Sequence, residues 1–388
     1  INYTILPTLA FTKDFFAPIM VFYIGIIIMI IVSTKDTIFT KEKGFGIEVS
    51  EKKEKGYSKW AKEKDIKKQL KLVIPKADTC EKGGVPIINN GKELWVDAGE
   101  YHNLVIGSTG AGKTEILVQP MVKSLAKAGE SMIITDPKGE IYEKNAEELR
   151  KRGYNIILLN FRNPQQGNCW NPMTLPYSLY KGGDMDKANE LLDDLAQNIL
   201  YDEAAKANDP FWQNTSADYF SGLSLALFED AKEEEININS INLMSTVGED
   251  KIKGTNKTYI QEYFGSKDPT SAMVLDVNGT ITAPTDTKGS ILSVFREKMK
   301  KFSTQENLSE MLSRSDFDMR DIGRKKTAVF IVIQDEKKTY HFLATIFLKQ
   351  CYETLVSVAF EHGGKLPYKT NFILDEFANM PPLKDCDA

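Results

Sequence analysis

The sequence predicts an α/β protein: a phosphate-loop domain interrupted by an all-helical insertion and preceded by one membrane-length helix. Three observations carry that prediction. Short β-branched runs alternate with helical stretches on both sides of a long region that has none. The first such run leads straight into a complete glycine-rich loop pattern. Near the start, Phe15 to Ser33 passes without a charge.

The apolar stretch comes first in the chain. A helix over 15–33 is long enough to cross a hydrocarbon core of roughly 30 Å. It lacks the basic start and small-residue cleavage site of a secretory signal, so a span is expected, with residues 1–14 as a short extracytoplasmic segment. Lys35, Lys41, Lys43, Lys52, Lys53 and Lys55 follow it, whereas only Lys13 precedes it closely. That excess places everything after about residue 34 in the cytoplasm, where ATP is. Residues 34–76 read as a charged juxtamembrane linker, a solvated face in preference to a lipid-binding one.

The β-branched runs are Asn103–Ile106, Ser131–Thr135, Asn155–Leu159, Thr327–Ile333 and Thr370–Leu374. Each is nearly all apolar, as strands of a parallel sheet covered on both faces should be. Residues 77–174 and 318–388 are therefore the two parts of one α/β body. Between them, 175–317 carries helical stripes instead: Leu191, Leu192, Leu195 and Ile199, then Phe220, Leu223, Leu227 and Phe228, then Ile291, Val294, Phe295 and Met299. These stripes are expected to form the insertion's own core, leaving recognition to polar loops such as Glu249 to Lys267.

A formal net charge of −5 excludes a globally basic nucleic-acid binder, so any such surface must be local. Cys80, Cys169, Cys351 and Cys386 are scattered, as are His102, His341 and His362, which excludes a Cys/His metal centre and a disulfide framework.

Residues 107–114 read Gly107-Ser108-Thr109-Gly110-Ala111-Gly112-Lys113-Thr114, a full G-x-x-x-x-G-K-T. The glycines let backbone N–H groups face phosphate oxygens, and the helix that follows favours the negative charge. Lys113 is expected on the β- and γ-phosphates and Thr114 on Mg²⁺. Far downstream, the apolar run ending at Leu374 delivers Asp375 and Glu376 at a strand's carboxyl end. Asp375 suits a Mg²⁺ ligand acting through water, and Glu376 suits the group that polarises the attacking water. Between them in sequence, Thr135-Asp136-Pro137-Lys138-Gly139-Glu140 lies at the end of the strand after the loop helix. Asp136, Lys138 and Glu140 are expected to face the same cleft, with roles unassigned.

In order, Lys55-Gly56-Tyr57-Ser58-Lys59-Trp60-Ala61, the phosphate loop, Asp136 to Glu140, Cys169-Trp170-Asn171-Pro172, Phe211-Trp212 and Leu374-Asp375-Glu376-Phe377 resemble the TraG/TraD-like coupling proteins of conjugative type IV secretion. The resemblance runs from residue 55 to nearly the end. It implies a RecA-like, ATP- and Mg²⁺-dependent motor working as a homo-hexamer at the cytoplasmic membrane. Such a motor passes relaxase-bound single-stranded DNA to the secretion channel. An FtsK-like DNA translocase and a protein-secretion motor are the alternative readings. Family members usually have two spans and a body that continues past the second acidic motif. Both ends of this sequence therefore read as cut, and hydrolysis is expected to need the remainder.

Overall fold

The computed structural model describes residues 13–34, 39–41, 47–49, 60–108, 110–201, 210–334 and 340–380. Residues 1–12 of the expected segment 1–14, the box residues 55–59, Thr109 and Cys386 lie outside them. The chain divides into two compact units, Ile1–Ile66 and Lys67–Ala388.

In the first unit, α1 (Lys13–Thr34) is a helix of 22 residues. At 1.5 Å per residue this is about 33 Å, sufficient to cross a bilayer core. None of its apolar window is buried within the chain. Strands β1 (Phe39–Lys41) and β2 (Ile47–Val49) form an antiparallel pair with Phe39 opposite Val49. A short helix, α2 (Glu63–Lys67), follows in sequence.

The second unit begins with a three-stranded antiparallel sheet of β3 (Lys71–Val73), β4 (Val85–Asn89) and β5 (Leu94–Asp97), in the order β3-β5-β4. Its first strand falls inside the stretch expected as a linker. Val73 has a buried partner set in Leu94 and Val96, which is what makes a strand there worth ordering. Gly83 packs this sheet against α3 (Gln119–Ala128), the helix after the glycine-rich loop. A side chain there would meet the Leu125 backbone at 2.7 Å.

The main sheet is parallel and four-stranded, in the order β7-β8-β6-β9. It comprises β6 (Ser131–Thr135), β7 (Asn155–Asn160), β8 (Thr327–Val332) and β9 (Thr370–Leu374), with α4 (Glu140–Lys151) joining the first two. Alternation along the strands divides two cores. Met132, Ile134, Leu158, Ala328 and Phe330 pack with Val122, Leu125, Ile141 and Leu149 on one face. Ile133, Ile157, Leu159, Val329 and Ile331 join the helical core on the other. Double-sided burial explains the almost purely apolar runs.

Asn103–Ile106, expected as a strand, is not one. Leu104 and Ile106 are 83% and 87% exposed, and these residues take part in no ladder. The flanks of the segment are tied to residues at the two ends of β9. Lys369 Nζ reaches the Ala98 carbonyl at one end, and Thr114 reaches Asp375 at the other. Backbone pairing between those two ties is missing, and extended backbone becomes a strand only by pairing.

Between β7 and β8 the described elements are helical. They are α5 (Thr174–Lys181), α6 (Met185–Leu200), α7 (Phe211–Asp230), α8 (Ile238–Val247), α9 (Tyr259–Gly265), α10 (Ala272–Ile281), α11 (Thr285–Thr304), α12 (Glu306–Met311) and α13 (Asp321–Arg324). The stripe residues Leu192, Leu195, Phe220, Leu223, Phe295 and Met299 are all buried. The Cys169–Pro172 box closes the neck of this region. Trp170 N–H donates to the Met311 carbonyl, Cys169 N–H to Asp316 and Asn171 N–H to Ser315, joining the chain's entry to its exit. Finally α14 (His341–Glu361) sets Phe347 edge-on to Trp170, with centroids 5.2 Å apart. This helix is also long and apolar enough to span a membrane, yet its window is 61% buried, the condition of a core helix.

Candidate nucleotide site

The parallel ladder brings the carboxyl ends of β6, β8 and β9 to one edge, where ligands of open α/β sheets bind. The loop from Gly107 to Thr114 arrives at that edge. Gly110 and Gly112 both have φ of 78°, a left-handed conformation that a side chain would disfavour. Lys113 folds over the loop, its Nζ donating to the carbonyls of Gly107 at 2.9 Å and Ser108 at 3.2 Å. The helix then opens with a π turn, Thr114–Val118, before continuing as α3.

Thr114 Oγ1 lies 2.9 Å from Asp375 Oδ2, so two positions 261 apart in sequence meet. A hydroxyl and a carboxylate are hard oxygen donors of the kind Mg²⁺ takes. Together with an ammonium and glycine-lined backbone N–H groups, they fit a magnesium nucleotide. Glu376, next in the chain, is exposed. Its backbone N–H donates to Asp375 Oδ1 at 3.1 Å.

Asp136 is 2% exposed. Its Oδ2 accepts from Tyr142 N–H at 2.7 Å, which makes it the anchor for the first turn of α4. Burial pushes its carboxyl above the usual carboxylate range. Backbone N–H groups of Tyr142, Ile141 and Gly139 oppose that shift, and the neighbouring Asp375 charge adds to it. Lys138 and Glu140 are exposed on the same turn. Thus loop, Thr114, Asp375 and Glu376 converge, and Asp136, neighbour to the Asp375 charge, also anchors its own helix.

One residue at this edge escaped the sequence reading. His341, with Thr135 and Pro137 of the strand-end box, walls a cavity of about 10 Å³ beside Asp375 and Glu376. No motif marks His341, because its place there depends on which elements become neighbours. His341 starts α14, with Nε2 2.9 Å from the Gln334 carbonyl.

Known proteins resemble this chain to different degrees. The conjugal transfer protein TraG of Escherichia coli is 23% identical over 357 residues, covering 85% of this chain and 54% of its own. The chain thus spans about half the length of that curated relative. Among solved structures, the bacterial conjugative coupling protein TrwBdeltaN70, unbound, aligns with a TM-score of 0.43 and 14% identity. That alignment covers 71% of this chain and 55% of that one. The plasmid coupling protein TrwB in complex with ADP and Mg²⁺ aligns with the same score at 15% identity, covering 71% and 57%. The model of the type IV secretory system conjugative DNA transfer family matches residues 54–386, and this chain belongs to that family.

Proposed function

We propose that this chain is the nucleotide-driven part of a membrane-anchored coupling ATPase, one that hands relaxase-bound single-stranded DNA to a type IV secretion channel. The observation that carries the reading is the 2.9 Å approach of Thr114 to Asp375, a phosphate-loop hydroxyl against the acid that ends β9. In this reading Lys113 and the N–H groups of Gly107 to Thr114, with Ser108, Thr109, Gly110, Ala111 and Gly112 between, hold the phosphates. Thr114 and Asp375 hold Mg²⁺. Bound Mg-ATP supplies the phosphoanhydride whose cleavage releases free energy. Glu376 orients a water and accepts its proton. The homo-hexamer, the relaxase and the channel subunits belong to the same proposal, as does a cytoplasmic body behind the α1 span.

The test is turnover of ATP by the full-length protein in detergent, with and without single-stranded DNA. Stimulation by DNA is expected. Lys113→Ala should reduce turnover by at least about 10²-fold, the scale of losing one preorganised electrostatic donor. Near wild-type turnover in that variant would remove the phosphate-loop assignment. Stimulation by a secreted protein but not by DNA would favour the protein-secretion motor instead.

A further inference from the structure

The end of β6 holds a contact that this scheme does not use. Thr135 is the last residue of the β6–β9 ladder, opposite Leu374. It is 1% exposed, and its hydroxyl donates to the main-chain carbonyl of Asp375 at 2.8 Å. The next residue, Glu376, has φ 54° and ψ 35°. Among the described residues it is the one non-glycine with positive φ. That conformation is disfavoured for an L-residue with a long side chain, and it persists only where the surroundings impose it.

Three hydrogen bonds surround this turn. Thr114 and the Glu376 N–H both bind the Asp375 carboxylate, one oxygen each. Thr135 alone of the three grips the main chain, at the carbonyl that directly precedes the strained residue. Fixing that carbonyl fixes the plane of the Asp375–Glu376 peptide, and therefore the direction in which Glu376 leaves the strand. With this direction Glu376 lines the small cavity together with Thr135 and His341. A volume near 10 Å³ is about the least that holds one water molecule.

We infer that Thr135 is a positioning residue for Glu376: its hydroxyl latches the Asp375 carbonyl and holds the following residue left-handed, beside the cavity. The inference rests on the hydrolytic reading of the cleft given above. Thr135→Val keeps the β-branched shape and the cavity wall but removes the donor; Thr135→Ser keeps the donor. In the full-length protein, Val is expected to lower kcat by about 10–10²-fold, the scale of displacing a reacting group by a fraction of its working distance. KM for ATP and ATP affinity should stay within about twofold, since the phosphate contacts are untouched. Ser should restore most of kcat. Added to Glu376→Gln, Thr135→Val should lower kcat no further, because it acts through that residue.

The inference is overturned if Val retains wild-type kcat, if Ser falls as far as Val, or if the two losses multiply. Loss of ATP binding in the Val variant would also overturn it, by making Thr135 a packing residue. Near wild-type turnover in Glu376→Gln alone would be a separate result. It would remove the hydrolytic reading of Glu376, and with it the latch's purpose, whatever Thr135→Val did.

Discussion

The edge of the parallel sheet and the helical insertion use the same charged side chains for different ends. At the sheet edge, Asp375 and Glu376 stand at the end of β9, held through backbone and hydroxyl groups, with open space beside them. In the insertion, acids are instead spent on packing. Glu249 meets Lys288 at 2.7 Å with both side chains nearly enclosed, 11% and 13% exposed. Asp194 is paired with Lys349 of α14, and Lys267 reaches both Glu229 and Asp230 at the end of α7. The loop from Glu249 to Lys267, expected to offer recognition groups, thus has both of its terminal charges engaged within the insertion. A carboxylate at an open edge and free of a cation keeps its charge available for a ligand, whereas one neutralised by a cation is architecture.

The contrast predicts that substitutions at the edge change turnover without changing stability, and that those in the insertion do the reverse. Glu376→Gln should give the largest effect. ATP binding and the unfolding midpoint should be kept, with turnover down by about 10²–10⁴-fold, the contribution of general-base help. Lost binding in a folded variant would place Glu376 among the ligand-holding groups instead.

Lys288→Met should cost about 3 kcal/mol, because Glu249 is left in its enclosed site without a counter-charge. A denaturant midpoint measures this, and turnover per folded molecule should be unaltered. A midpoint unchanged in Lys288→Met would show the pair to be solvated and blur the contrast.

The smallest effect concerns the acidic seam. Burial first, then the charges of Asp193 and Asp218, push the Asp276 carboxyl from its ordinary 3.8 up to about 6. A raised folded-state pKa adds stability that is complete below 3.8 and is lost as pH rises through about 6. Asp276→Asn should therefore stabilise the protein at pH 7, by on the order of 1 kcal/mol. It should also flatten the stability profile between pH 4 and 7. An unchanged profile would mean the seam is water-filled.

Local chemistry determined much of this by itself. A run without charge is apolar in any fold, so α1 is legible from composition. The glycine-rich pattern from Gly107 to Thr114 is contiguous, so it is complete as written. Two-sided burial forces continuous apolar runs, which made β6, β7 and β8 readable, and 3.6-residue stripes made the insertion readable as helix. Tertiary structure decided the rest, because it depends on neighbours. Asn103–Ile106 has a strand's composition, but a strand exists only where another backbone pairs with it. Asp136 reads as a cleft residue in the sequence, and the fold adds that its carboxylate also takes the amide groups at the start of α4. Thr135 is legible as the strand end before Asp136, but its contact with Asp375 exists because β9 pairs with β6, and strand order is fixed by the packing of the whole sheet, not by any stretch of sequence.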